Sequence, residues 1–183
     1  MKIENKNKVK LFSEIPHLGC GRVMLHKVTL EDKDALAGMT AESAVYRYLP
    51  EFLFEKKYDD TEYVIRHLYD ECLKESLILG IYTEGVFCGL AEFYGFRDEI
   101  RKISVGYRLR EAFWGRGIAT EALGLMVEYL YGRTDTEQIT ASTMTENRAS
   151  ARVLEKNGFE LLVRGAPEDW GYESPTPADK WIR

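Results

Sequence analysis

The spacing of hydrophobic and polar residues changes along the chain, and the changes divide it into elements. GRVMLHKV at residues 21–28 alternates as a half-buried strand does. Thr29-Leu30-Glu31-Asp32 then reads as a helix start, with Thr29 able to cap and an acid at the third position after it. The helical region behind it is short and irregular and ends near Pro50. Val64, Ile65, Leu68, Tyr69, Cys72 and Leu73 recur at helical spacing and predict an amphipathic helix over residues 61–75.

ILGIYT and VFCGLAEFY follow as two strands joined at Glu84-Gly85, a tight hairpin turn. IRKISVGYRL, residues 100–109, is a third strand of that antiparallel group. A helix comes next, with Ala119, Ala122, Leu123, Met126, Val127 and Leu130 on one stripe. QITASTM alternates as a strand, residues 147–157 form a second short helix, and Gly158 stops it. FELLVRG and DKWIR complete the strands. This order implies an α+β fold with a mixed, mostly antiparallel sheet of about six to seven strands flanked by helices. A length of 183 residues suits one domain over 1–183, with residues 1–19 a loosely attached N-terminal segment.

Charge and cysteine usage remove several functions. A net charge of −5 argues against nucleic acid as a partner, because phosphate chains are met with a basic excess. No apolar run approaches the roughly 18 residues of a membrane span. KIENKNKVKLF lacks the apolar core of a signal peptide, so a cytoplasmic location is expected. Cys20, Cys72 and Cys88 are odd in number and form no CxxC pair, which excludes a disulfide framework. His17 and Cys20 are three apart, but no second pair completes a ligand set, so no metal is expected. Cys88 reads as a small buried residue.

The chemistry concentrates in FWGRGIATEAL, residues 113–123. Its glycines fall between a strand end and a helix start, where unpaired N–H groups and the helix dipole favour an anion. Glycine at 115 and 117 removes the Cβ atoms that would hold a phosphate away, and Arg116 adds positive charge. A phosphate cradle and a helix start that merely needs unusual backbone angles stand level on spacing alone. A P-loop is excluded by the missing Lys-Ser/Thr pair. The dinucleotide fingerprint is excluded by Thr120 in the third small position.

VGYRLREAFWGRGIATEAL resembles the acyl-CoA loop of the GNAT N-acetyltransferase superfamily, and ENRASARVLEKNGFE resembles its second signature helix. Both are nearest the branch that includes the ribosomal-protein N-terminal acetyltransferases. The resemblance is strong over residues 90–161 and looser before them. It implies acetyl-CoA as co-substrate, with no metal, and a primary amine as acceptor: a peptide N-terminus, favoured here, or a small molecule such as a polyamine or an aminoglycoside. It also implies that backbone at Tyr107 and Leu109 meets the pantetheine arm, and that Gly115, Arg116, Gly117, Ala119 and Thr120 hold the pyrophosphate beside Trp114. Asn147 would bond the pantetheine. A tyrosine that serves many relatives as general acid matches Leu154 here, so that role is vacant. A catalytically silent acyl-CoA or partner-binding module on the same fold is the rival reading.

Asn147, Ser150, Ala151 and Leu154 share one helix face. Ser150 is the candidate to hydrogen-bond or protonate the departing thiolate, as the matching serine does in the branch; as plain structure, Asn147 is a cap and Ser150 an exposed serine. Glu92, inside the apolar run CGLAEFY, is the candidate base, against a structural ion pair of equal weight. Arg108 and Arg110 read as surface charge ahead of a role at the cofactor's 3′-phosphate. His17, His26 and His67 receive no role, and His26 reads as structural. Tyr46, Tyr48, Phe52 and Phe54 read as core ahead of an acceptor cleft. The oligomeric state is expected to be monomer or homodimer.

Overall fold

The computed structural model describes residues 13–19, 21–70, 73 and 76–183. Cys20, Cys72 and most of residues 71–75 lie outside the described residues, as does the beginning of the chain. Strand β1 (Val23–His26) leads through a one-turn 3-10 segment, Leu30–Asp32, into helix α1 (Lys33–Ala41). The Thr29 N–H donates to Asp32 Oδ2 at 2.8 Å, within the capping box that the sequence predicts. α1 breaks at Glu42, and helix α2 (Ser43–Tyr46) follows. Glu42 turns away to accept from Arg110 Nε at 3.1 Å and from the Glu111 N–H at 2.8 Å. Helix α3 (Phe54–Lys57) was not expected, and α4 (Thr61–Asp70) occupies the described part of the amphipathic pattern.

β2 (Leu77–Thr83) and β3 (Val86–Arg97) form the expected hairpin. Glu84 and Gly85 both take positive φ, 52° and 76°, as the tight two-residue turn requires. β4 (Lys102–Leu109) begins two residues later than expected, because Asp98–Ile100 coil into a 3-10 turn that ends on Arg101 at φ 47°. α5 (Ile118–Arg133), β5 (Gln138–Met144) and α6 (Arg148–Lys156) follow the predicted order. β6 (Glu160–Glu168) and β7 (Thr176–Ile182) are longer than FELLVRG and DKWIR suggest, since they pair with each other along most of their length.

The seven strands form one sheet in the order β1-β2-β3-β4-β5-β7-β6, antiparallel except for the central β4–β5 pair. The expectation of a mixed, mostly antiparallel α+β sheet holds. Leu77 to Tyr82 are buried at consecutive positions, so both faces of β2 are covered. Helix α5 packs on β1 and β4, while α1 and α4 pack on β3 and β2. Leu79, Ile81, Leu90, Phe93, Ile103, Met126 and Leu130 form the middle of the core. Cys88 is fully buried there as a small residue, and burial pushes its thiol up. Among the described residues, no helix is long and apolar enough to cross a membrane.

The parallel pair is where the sheet opens. β4 and β5 are paired only from Lys102↔Gln138 to Ser104↔Thr140. Past that point residues 105–109 and 141–144 continue as strands without pairing to each other.

Candidate functional site

A cavity of about 610 Å³ fills the opening between the two strands. Its lining takes in the glycine turn and the start of α5, Tyr107 and Ser150, and Glu92, Tyr94 and Trp170.

At the turn, Gly115 and Gly117 lie at φ 71° and 78°, a region costly for residues with a Cβ. Gly117 caps α5, and the first helical bond runs from the Glu121 N–H to the Gly117 carbonyl. The N–H groups of Ile118, Ala119 and Thr120 thus precede the ladder, and a helix of this kind presents them to an anion. A Cβ on Gly115 would meet no protein atom within 4 Å, and one on Gly117 only Arg22 Nη2 at 3.6 Å. Protein packing therefore leaves the space over both glycines open. The backbone angles do need glycine, as the structural reading of this turn requires, and the bare backbone also faces the cavity.

The turn is tied down on both sides. The Trp114 indole N–H donates to the Leu109 carbonyl at 2.8 Å, fixing the turn to the end of β4. Arg22 donates to the Arg116 carbonyl at 3.1 Å and is ion-paired with Glu121 on the first turns of α5. The Arg116 guanidinium lies over the Phe113 ring, 5.7 Å from its centroid. Arg22 lies outside the motif, and nothing in its local sequence marks it.

Across the opening, Asn147 caps α6 by accepting the Ser150 N–H at 3.1 Å. The cap role is thus real, and it fixes Ser150 on the cavity side of the helix. Ser150 Oγ is 2.9 Å from the Tyr107 hydroxyl. Burial pushes the Tyr107 phenol up to about 12, with the Ser150 hydrogen bond opposing it. Leu154, one turn further on, is buried in the core at 2% exposure.

The expectation that Arg108 is surface charge is corrected. Its side chain is buried, donating to Glu55 Oε2 at 2.8 Å and to Glu92 Oε2 at 3.1 Å. The Tyr46 hydroxyl donates to the same Glu55 carboxylate at 3.3 Å. Burial pulls the guanidinium down, but Glu55 and Glu92 more than offset it, and it stays charged. Two carboxylates around one guanidinium leave one negative charge. Glu92 is therefore in an ion pair, yet it also lines the cavity, and Arg108 donates to its Oε2. Arg110 is half-buried against Glu42 and is no more a free surface charge than Arg108.

The aromatic cluster divides. Tyr46 and Phe54 pack against the core, whereas Tyr48 and Phe52 line the cavity. His26 stacks on Tyr82 with ring centroids 3.8 Å apart, a structural placement as expected. His67 Nδ1 lies 2.9 Å from the Tyr63 carbonyl in α4. Among the described residues, no group of three or more His, Cys, Asp and Glu is placed to hold a metal.

The profile of the acetyltransferase (GNAT) domain matches residues 22–160 of this sequence. The chain belongs to the GNAT acetyltransferase family. Among relatives, an uncharacterized N-acetyltransferase of Bacillus subtilis, YoaA, is 26% identical over 168 residues, covering 90% of this chain and 93% of its own. Among solved structures, a GNAT acetyltransferase from Bacillus anthracis superposes with a TM-score of 0.77 at 20% identity, covering 92% of this chain and 98% of its own. RimL, a ribosomal L7/L12 α-N-protein acetyltransferase solved with coenzyme A, superposes with a TM-score of 0.79 at 16% identity over 92% of this chain and 97% of its own. At those identities the two structures share the GNAT fold with this acetyltransferase, and the fold alone.

Proposed function

We propose that this enzyme is an acetyl-CoA-dependent N-acetyltransferase in which a primary amine attacks the thioester directly, within a ternary complex. The observation that carries this reading is that one cavity is lined by the glycine turn, Ser150 and Glu92 together. A cofactor entering at one end and an acceptor at the other meet beside the same side chains. The turn fits a pyrophosphate: it offers unpaired N–H groups, no Cβ in the way, and Arg116 alongside. Residues 105–109 of β4, unpaired toward β5, would lend backbone groups to the pantetheine arm, Tyr107 and Leu109 among them. Asn147 and Trp114 complete that wall.

Acetyl transfer needs a neutral amine, a polarised carbonyl and a partner for the leaving thiolate. Ser150 supplies the last, from a position held by the Asn147 cap. Glu92 takes the proton of the attacking nitrogen, directly or through one water, with the carboxylate oxygen that Arg108 does not hold. The acceptor end suits a cation. Glu55, Glu92, Glu168 and Asp169 stand there against Arg47, Arg108 and Lys180, which leaves a small negative excess. An ammonium group is drawn in before it is deprotonated.

Among amines, the α-amine of a peptide is favoured, in line with the activity named for RimL, and the setting is a cytoplasmic enzyme of one domain. A second reading, a small cationic acceptor, is favoured by the way the acceptor end is bridged. The Glu51 N–H donates to the Trp170 carbonyl at 2.8 Å and the Tyr172 hydroxyl to the Leu49 carbonyl at 2.7 Å, so two loops meet across it. An acceptor screen decides: acetyl-CoA with peptides, polyamines and amino sugars, followed by thiol release and by mass spectrometry of the products. If no amine in the panel gives thiol release, the enzymatic reading falls; acetylation of small amines but no peptide selects the second.

A further inference from the structure

Leu154, the α6 position that the resemblance matches to a tyrosine in many relatives, is core. The structure supplies a phenol to that helix from the other side of the opening. Tyr107 projects from β4 three positions beyond the last β5 pair, and its hydroxyl lies 2.9 Å from Ser150 Oγ. We propose that Tyr107 is a positioning residue for the acetyl transfer, holding and polarising the Ser150 hydroxyl so that its proton is aimed at the departing sulfur. This rests on the acetyltransferase reading above.

Either hydroxyl can donate across this 2.9 Å contact, and the Ser150 carbonyl lies 3.5 Å from the phenol. A phenol is a far stronger acid than an aliphatic alcohol, so the proposed arrangement has the Tyr107 O–H donating and Ser150 Oγ accepting. Held near 12, the phenol keeps its proton throughout the working range and never competes as a base. Ser150's own proton is then the free one, and its backbone is fixed by the Asn147 cap. A donor that is itself receiving a hydrogen bond is a stronger donor, and the effect grows in a partly desolvated cavity.

The chemistry balances without a further reagent. The amine nitrogen forms the C–N bond, the C–S bond breaks, and its electron pair goes to sulfur. A thiol with a pKa near ~8.5 is a stronger acid than the phenol, so the pair stabilises the thiolate by hydrogen bonding rather than by surrendering a proton. The sulfur takes its proton from solvent on release, and the nitrogen loses its proton to Glu92 or water.

Tyr107→Phe, which removes one oxygen, tests this. We expect kcat to fall about tenfold with KM for acetyl-CoA changed less than about twofold. Tyr107→Phe/Ser150→Ala should be no slower than Ser150→Ala alone, because the phenol acts through the serine. With an activated thioester, p-nitrothiophenyl acetate, whose thiolate needs little help, wild type and Tyr107→Phe should react alike. 3-Fluorotyrosine at 107 keeps the donor and should restore the rate with acetyl-CoA. Additive losses in the double variant, an equal loss with the activated thioester, or an unchanged kcat in Tyr107→Phe would each overturn the proposal. Wild type that releases no thiol with any amine would instead remove the reading on which it rests.

Discussion

The Arg108 guanidinium donates to Glu55 at 2.8 Å, with each residue about as buried as the core around it, 4% and 3% exposed, and 53 positions apart in sequence. A charge taken out of water needs a partner, and this one has two, because Glu92 reaches the guanidinium from the neighbouring strand. The pairing joins helix α3, a segment with no sequence signal, to the two strands that form the wall of the cavity. It ties α3 to the sheet beside the cavity that Glu92 lines.

Arg108→Met should therefore destabilise the fold by about 3–5 kcal/mol, since Glu55 would be left buried and uncompensated. Arg108→Met/Glu55→Gln should recover much of that loss. Urea denaturation with unchanged m-values reads both, and equal stability of the two variants would contradict the account.

Gly117→Asp places a side chain in the open space over the turn and a negative charge at the helix N-terminus where the pyrophosphate is proposed to sit. The charge contributes about 0.3–2 kcal/mol, so steric exclusion must dominate if acetyl-CoA binding is abolished as expected. The strain of a positive φ adds about 1–2 kcal/mol to the folding cost. Calorimetric titration of the folded variant with unchanged affinity would dismiss the cradle.

Arg22→Ala releases the Arg116 carbonyl and Glu121 together. Both partners of that ion pair are largely exposed, so the melting temperature should hardly move. The looser turn should raise KM for acetyl-CoA several-fold while kcat stays within about twofold. A lower melting temperature with unchanged KM would show the clamp to be structural.

The acceptor follows from protonation. An α-amine with pKa near ~7.8 is neutral about one time in seven at pH 7, a cost of roughly 1.1 kcal/mol. A lysine near ~10.4 is neutral about once in 2,500, a cost of roughly 4.6 kcal/mol. With one carboxylate as the base, the α-amine should react faster. Peptides blocked at either amine, assayed from about pH 6.5 to about 9, check this, and faster lysine acetylation at neutral pH reverses it.

Alkaline stability carries a further expectation. Burial raises the phenols of Tyr46, Tyr82, Tyr94 and Tyr107 above the usual tyrosine range. Their neutral forms are favoured in the fold, so their contribution is complete below about pH 10 and is lost as pH rises through the folded-state values. Denaturation midpoints should fall from about pH 10 upward, together with the rise of tyrosinate absorbance. Full tyrosinate absorbance near pH 10 with the fold intact would contradict the burial argument.

The order of strands and helices, the hairpin at Glu84-Gly85 and the glycine turn were legible in the sequence, because each rests on local periodicity or on a backbone angle that only certain residues accept. α5 is announced by its stripe, and the turn before it by two glycines two positions apart. The resemblance added the family and its cofactor, again from contiguous residues. The tertiary structure alone decided the rest. Whether Arg108 meets water or Glu55 depends on where α3 packs. Whether Ser150 has a partner depends on how far β4 and β5 diverge. The Arg22 clamp joins residues 94 positions apart. Such pairings leave no periodic trace, since a lone polar side chain reads alike in sequence whether it faces solvent, an ion pair or a cavity. What settles it is the desolvation cost of each environment, and that cost exists only once the chain has folded.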